Sequence, residues 1–372
     1  MSLSPFVYLE DSLQGKVQHF RAPLRIIRAH QPSEVEAAFA DMQQAHHQGK
    51  WLAGFASYEL GYVLEPKLAH LLPENRAVPL LCFGVFDGHD EQALPEQGPG
   101  RIRDLKPMWR ESDYAPAFAQ VLSYIGAGDV YQINLTFPMQ GRLEGQAIGL
   151  YQALKQRQPV AYGGMVALGD ETLVSLSPEL FFETQNRAIR AKPMKGTAPR
   201  GVSPAEDHEI ARWLSRDPKQ RAENLMIVDL LRNDLSRISE VGSVKVPDLF
   251  AVETYNTLHQ MVSTIEAQLL PGLGLRDLFA GLFPCGSVTG APKIRAMEII
   301  SELEPAPRGA YCGSIGAISP QGDMRFNVAI RTLTIGRDQS VTVNVGSGTV
   351  ADSTSREEYA ECLLKSRFLN LD

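Results

Sequence analysis

Between Tyr311 and Val350 the chain runs through "YCGSIGAIS", "MRFNVAIRTLTIG" and "SVTVNVGSGTV", three β-type stretches with no helical pattern between them. An earlier stretch, "YGGMVALGDETLVSLSPELFFET", reads as a hairpin with "GD" at its turn. Strands that arrive in groups, rather than in strict βαβ alternation, give an α+β class with antiparallel sheets. Helical spacing is confined to a few segments. In "PSEVEAAFADMQQAHHQ", Val35, Phe39 and Met42 recur on one face. "DYAPAFAQVLSYIGAGDVYQINL" reads as a helix running into a strand. "EDHEIARWLSRDPKQRAENLMIVDLLRNDLSRI" is mainly helical with a break near Pro218, and "SREEYAECLLKSRFLN" ends the chain as a helix. The polar "DGHDEQALPEQGPGRIRDLKP" reads as a surface loop or linker. It divides an N-terminal region, 1–107, from a catalytic region, 108–372.

Composition narrows the function classes. The 372 residues are 44% hydrophobic and 21% charged, ordinary for a soluble globular protein. A net charge of -7 argues against nucleic-acid binding of the basic-patch kind. Cys82, Cys285, Cys312 and Cys362 have no CxxC spacing, so neither a zinc knuckle nor a disulfide framework is expected. The start "MSLSPFVYLEDS" lacks the pattern of a signal peptide, and no apolar run approaches the ~18 residues of a membrane span. The expectation is a cytoplasmic protein without nucleic-acid or membrane partners.

Several residues invite chemistry. "RAIRAKPMKGTAPRG" sets Lys195 among Arg187, Arg190, Lys192 and Arg200. Either this is a solvated basic loop, or the neighbours and partial burial destabilise the ammonium so that Lys195 becomes a nucleophile. Glu179 follows Pro178 among apolar residues, a setting for a turn or for a general acid of raised pKa. Glu223 opens an apolar helical run, where the helix dipole alone is an adequate reason for it. Ser355 and Glu358 have capping-box spacing. Glu358, Glu361 and Lys365 share a helix face, as a surface ion pair or as part of a site. Carboxylates from two distant helices meeting at a hard cation would suit Mg²⁺. "FPCGSVTGAPK" fails the P-loop spacing. Gly346 and Gly348 in "NVGSGTV" offer backbone N–H groups as an anion nest or mark a bend in a strand. Arg331, in "NVAIRT", should meet a carboxylate.

Together "GDVYQINLT", "LSPELFFE", "PMKGTAPRG", "AENLMIVDLLRNDL", "LHQMVSTI", "LFPCGSVTGAPK", "YCGSIG", "FNVAIRTL", "GSGTVADS" and "EEYAECLLK" resemble the chorismate-utilising enzymes over residues 110 to 372. The N-terminal "GKWLAGFASYELGYVLEP" is similar to their short form. The resemblance implies large antiparallel β-sheets packed as a sandwich with helices outside. It also implies Mg²⁺ held by Glu223 and Glu361, with Glu358 assisting through water. Substrate would be held by Gly196, Thr197, Tyr311, Arg331, Gly346, Gly348 and Lys365, with His259 near the leaving group. The branch that forms anthranilate carries alanine in "PIAGT", and the branch that aminates C4 carries "PIKGT"; this chain has "PMKGT". Isochorismate-forming members place a base lysine where this chain has Gln132. By resemblance, then, Lys195 is the nucleophile and Glu179 the acid of a C4 amination. The implied partners are chorismate, ammonia and a glutamine amidotransferase (glutaminase) subunit. Leu180 stands where arginine is usual and Met194 where isoleucine is usual; neither removes a reacting group. An anthranilate-forming enzyme and a silent chorismate-binding homologue are the alternatives.

Overall fold

The structure, a computed structural model, describes residues 4–255 and 258–371. Two antiparallel sheets, of nine and ten strands, organise it. The first runs Gly290–Ala291, Gln132–Gly145, Ser340–Thr349, Thr332–Ile335, Thr172–Ser177, Tyr162–Ala167, Phe6–Asp11, Lys16–Arg21, with Gly100–Pro107 also on Gln132–Gly145. The second runs Met194–Pro199, Leu258–Gln268, Ala188–Lys192, Leu180–Gln185, Met324–Asn327, Ser314–Ile318, Trp51–Ala56, Leu81–Phe86, Arg25–Ala29, with Lys245–Thr254 also on Leu258–Gln268. Val7, Phe20 and Leu173 of the first sheet pack with Phe55, Phe86 and Ile315 of the second in one buried cluster. Helices pack elsewhere on the sheets: Pro32–His47 buries Val35, Phe39 and Met42. The expected α+β class and the "GD" hairpin are both present. All four cysteines are buried and free.

The stretches that read as continuous strands are divided. "LVSLSPELFFE" leaves the first sheet after Ser177 and enters the second at Leu180, with Pro178 and Glu179 making the crossing. "MRFNVAIRTLTIG" crosses back: Met324–Asn327 belongs to the second sheet, Thr332–Ile335 to the first, and Arg331 lies between them at φ 51°. The crossings lie side by side, since Val328 N donates to Glu179 O at 3.0 Å and Leu176 N to Arg331 O at 3.0 Å. Strands that change sheets turn the corners of a sandwich, and here two such corners carry a candidate acid and a candidate anion binder.

Three local expectations need correction. Residues 100 to 107, read as part of a linker, form a strand on Gln132–Gly145; a register shift between Arg103 and Lys106 spaces Ile102 and Leu105 three apart and hides the strand's period of two. The last helix is capped by Thr354, whose Oγ1 accepts from Glu357 N, and not by Ser355 with Glu358. The helix Pro218–Ser236 is capped by Asp217, so Glu223 sits in its second turn and the dipole does not explain it.

Below the first sheet, Arg308 anchors the strand Gln132–Gly145. Its guanidinium meets both oxygens of Glu304 at 2.6 and 2.9 Å and donates to Asn134 O and Val288 O; Thr136 N donates to Glu304 Oε1 at 3.0 Å. Both side chains are almost fully buried. Glu304→Ala leaves an uncompensated buried cation, so it is expected to destabilise the protein by roughly 3–5 kcal/mol. Urea unfolding followed by circular dichroism measures this, and a loss below ~1 kcal/mol would contradict the role given to the pair.

Candidate active site

The candidate residues gather where the sheets' ends meet. Gln132 and Gly348 lie on adjacent strands of the first sheet, and Lys195 comes from the edge strand of the second. Lys195 Nζ lies 3.3 Å, and Gln132 Nε2 3.2 Å, from the position a Cβ on Gly348 would take, so any larger residue there would crowd both. The glycine is needed for that approach. Gly346, one pleat away, accepts from Lys365 Nζ at 3.0 Å through its carbonyl.

Lys195 is partly buried and makes no hydrogen bond or ion pair among the described residues. Its pKa is lowered, first by burial and second by the charge of Lys365; Glu223, Glu179 and Glu361 act against this. The cations of its own segment are not the cause. Arg187 pairs with Glu240, Arg190 with Glu183 and Glu266, Lys192 with Glu253, and Arg200 with Asp207. Of the two expected sources, burial holds and the neighbouring cations are corrected: the second cause is Lys365, from the other end of the chain.

Glu179 is 5% exposed, and burial raises its pKa to about 7 against the opposing effects of the Ser287 hydroxyl and the Lys195 charge. A carboxyl protonated near neutrality is suited to donating a proton. Arg331 has no carboxylate partner among the described residues, contrary to expectation, and burial lowers its pKa. A guanidinium largely withdrawn from water, with no carboxylate partner among the described residues, suits an anion from outside. Tyr311 is buried, with the Asn134 amide beside its hydroxyl.

Two helices bring carboxylates to this region. Glu223 is partly buried; burial raises its pKa, the charges of Lys195 and Lys219 oppose the rise, and those of Asp352 and Glu358 add to it. Lys219, on the same helix, pairs with Asp352 at 2.7 Å and joins the helix to the segment leading into Ser355–Lys365. Glu358 accepts from Ser353 Oγ at 2.6 Å, and Glu361 pairs with Lys365 at 2.7 Å. Among the described residues no three His, Cys, Asp or Glu side chains converge to enclose an ion by themselves. Mg²⁺ takes one or two carboxylates and keeps waters and substrate oxygens. Hard oxygen donors whose mutual repulsion a cation would relieve fit that ion.

Other predicted residues are engaged by protein partners. His259 is 1% exposed and has both ring nitrogens engaged: Nε2 lies 2.8 Å from Asp207 Oδ1 and Nδ1 2.9 Å from Thr254 Oγ1. A carboxylate only accepts, so Nε2 carries the hydrogen and neither nitrogen is free for a leaving group in this state. Thr197 donates to Gln260 Oε1 at 3.0 Å, and Gln260 Nε2 donates to Gly196 O at 2.7 Å, which braces the "KGT" backbone. Gly196 has φ 83°, a conformation glycine adopts without cost. Sequence reading missed Ser287, which donates to Glu179 Oε1 at 2.7 Å. It lies in the "FPCGSVTGAPK" stretch, which fails the P-loop spacing and in which the resemblance assigns no role to the serine.

This sandwich carries, where its sheets meet, a protonatable buried carboxyl and a lysine and an arginine without an acidic partner among the described residues, the features of a site for an anionic ligand. The chain belongs to the chorismate binding enzyme family, whose model matches residues 5–370. It is 43% identical over 293 residues to aminodeoxychorismate synthase component 1 of Salmonella typhimurium, a match covering 77% of this chain and 64% of that protein. The Escherichia coli protein of the same description is 37% identical over 87% of this chain and 77% of its own length. Anthranilate synthase component 1 of Thermus thermophilus is 40% identical over 86% of this chain and 76% of its own. The chain thus spans just under two thirds of the Salmonella relative. The solved structure of anthranilate synthase component I from Streptococcus pneumoniae superposes with a TM-score of 0.83 at 24% identity, covering all of this chain and 93% of that one. The menaquinone-specific isochorismate synthase of Escherichia coli gives 0.77 at 16%, covering all of this chain and 89% of that one. The antiparallel sandwich is therefore the fold of these enzymes.

Proposed function

We propose that this chain is a component 1 of aminodeoxychorismate synthase, a cytoplasmic enzyme converting chorismate and ammonia to 4-amino-4-deoxychorismate for para-aminobenzoate and folate synthesis. The carrying observation is Lys195: unpaired among the described residues, of lowered pKa, and directed at Gly348 beside Gln132. Overall identity does not separate C4 amination from anthranilate formation, since relatives of both descriptions match at about 40%. The lysine does, because an alanine in its place has no nucleophile to offer.

In the first displacement the neutral amine of Lys195 forms a bond to C2, the two conjugated ring double bonds shift, and the C4 hydroxyl departs as water with a proton from Glu179, which the proton shed by the amine then restores. Ammonia then bonds to C4, both double bonds shift back, and the lysine leaves C2 as a neutral amine with the proton that the ammonia nitrogen gives up. The amino group ends where the hydroxyl was, with configuration retained by two displacements. Arg331, Tyr311 and the backbone at Gly346 and Gly348 hold the carboxylates. Gln132 has an amide and no basic nitrogen, so it does not activate water at C2. Glu223 and Glu361, with Glu358 through water, would hold Mg²⁺, which when bound neutralises their repulsion of the substrate carboxylate. His259 positions the "PMKGTAPRG" strand through Asp207 in this reading.

Ammonia would come from a separate glutaminase subunit. The pure chain is therefore expected to make the 4-amino product from chorismate, Mg²⁺ and ammonium, and none from glutamine, as read by mass spectrometry. Anthranilate as the product would overturn the assignment; glutamine-dependent turnover by the chain alone would overturn the partner.

A further inference from the structure

The acid and its immediate support form a short hydrogen-bonded line. Cys285 Sγ lies 3.2 Å from Ser287 Oγ, and Ser287 Oγ lies 2.7 Å from Glu179 Oε1. Ser287 is 5% exposed and Cys285 2%. Thr289 Oγ1 donates to Cys285 O at 2.8 Å, which closes the turn that holds both. A serine has one hydroxyl hydrogen. Donated to the carboxylate, it leaves Ser287 Oγ to accept from the thiol, so the line has one direction: Cys285 to Ser287 to Glu179.

We propose that Ser287 is the positioning residue of the Glu179 acid: by donating to Oε1 it commits that oxygen to acceptance and leaves Oε2 to carry the proton toward the leaving hydroxyl. The inference rests on the reading of Glu179 as the acid. In the step, the Oε2–H bond breaks, the proton joins the C4 oxygen, and water leaves. The negative charge that remains on the carboxylate is met by a hydrogen bond already in place. Such preorganised donors act where charge develops, without reorganisation at the moment of reaction. Buried burial-raised Cys285, at about 12, stays a thiol and keeps the direction fixed.

The charged and titratable groups facing Glu179 are Lys195 from the edge strand, Lys365 from the last helix, Cys285 from the same turn as Ser287, and Cys312. Both lysines favour the carboxylate, as do the serine and the backbone N–H of Met194; burial opposes them all. Removing the serine's hydrogen bond therefore raises the Glu179 pKa. Activity that needs the protonated acid falls as pH rises through that value, so the alkaline limb should move upward.

The test compares Ser287→Ala, Ser287→Thr and Glu179→Gln in the full chain, with chorismate, Mg²⁺ and saturating ammonium across pH. Ser287→Ala is expected to lower kcat about tenfold and to move the alkaline limb up by about one unit, the worth of one charge-assisted hydrogen bond. KM for chorismate should hold, because Ser287 reaches the substrate only through Glu179. Ser287→Thr retains the donor and should keep the wild-type limb. An infrared titration of the Glu179 carboxyl band, assigned by its loss in Glu179→Gln, should show the same upward shift in Ser287→Ala, and it reads the hydrogen bond even where turnover is weak. An inactive Glu179→Gln beside an unmoved limb and band in Ser287→Ala overturns the positioning role and leaves the acid reading standing. Wild-type turnover by Glu179→Gln overturns both.

Discussion

Lys195→Ala should lose formation of the 4-amino product by on the order of 10³-fold or more, the scale on which removing a covalent nucleophile acts. The structure gives a reason for a large effect: among the described residues, the neighbours of Lys195 at Gly348 offer no free amine, since Gln132 is an amide and Lys365 is tied to Glu361 and Gly346 O. The fold should survive, since among the described residues Lys195 makes no hydrogen bond or ion pair that its removal would break. Truncation also clears the space beside C2, so residual turnover should shift toward attack there by ammonia or water. Rate and product identity are both needed, because a general base or an electrostatic role would also slow the reaction. Amination of C4 at the wild-type rate would make Lys195 a bystander.

Glu361→Gln should lower Mg²⁺-dependent turnover by on the order of 10²-fold and raise the Mg²⁺ concentration needed for half-maximal rate. Glu361 is half-exposed and its contact is Lys365, so the substitution should leave thermal unfolding nearly unchanged. The change also releases Lys365, whose charge helps lower the Lys195 pKa. A rate titration with Mg²⁺, paired with calorimetric Mg²⁺ binding, distinguishes these effects: loss of the metal ligand weakens binding, whereas release of Lys365 alone does not. Full activity of the variant, or of the wild type in excess chelator, would remove the metal from the account.

Much of the fold was legible because its signals are local. The hairpin Tyr162–Ser177 announces itself by alternation and a "GD" turn. The corners were not legible, although they carry Glu179 and Arg331. "MRFNVAIRTLTIG" alternates without punctuation, and the left-handed φ at Arg331 is adopted by a residue that does not advertise it. The last helix shows the limit of spacing rules: "TSREE" contains two overlapping capping frames, Thr354 with Glu357 and Ser355 with Glu358, and only the phase of the helix selects the first. At the site, residue identity was readable but pairing was not. Four cations around Lys195 invited an electrostatic cause, yet each has its own carboxylate, supplied in part from strands far along the chain. Ser287 carried no signal of its own, because a serine beside a glycine in a turn is common and only the fold brings it to Glu179.

The nucleophilic role of Lys195 is tested most directly by intact-protein mass spectrometry after quenching the wild type with chorismate and Mg²⁺ in the absence of ammonia. With no ammonia to release the lysine, a fraction of the protein should carry the mass of chorismate less one water, and peptide mapping should place it on Lys195. Lys195→Ala should show none. An unmodified wild-type protein under conditions where added ammonium gives rapid turnover, or an adduct that maps to another residue, would contradict the account.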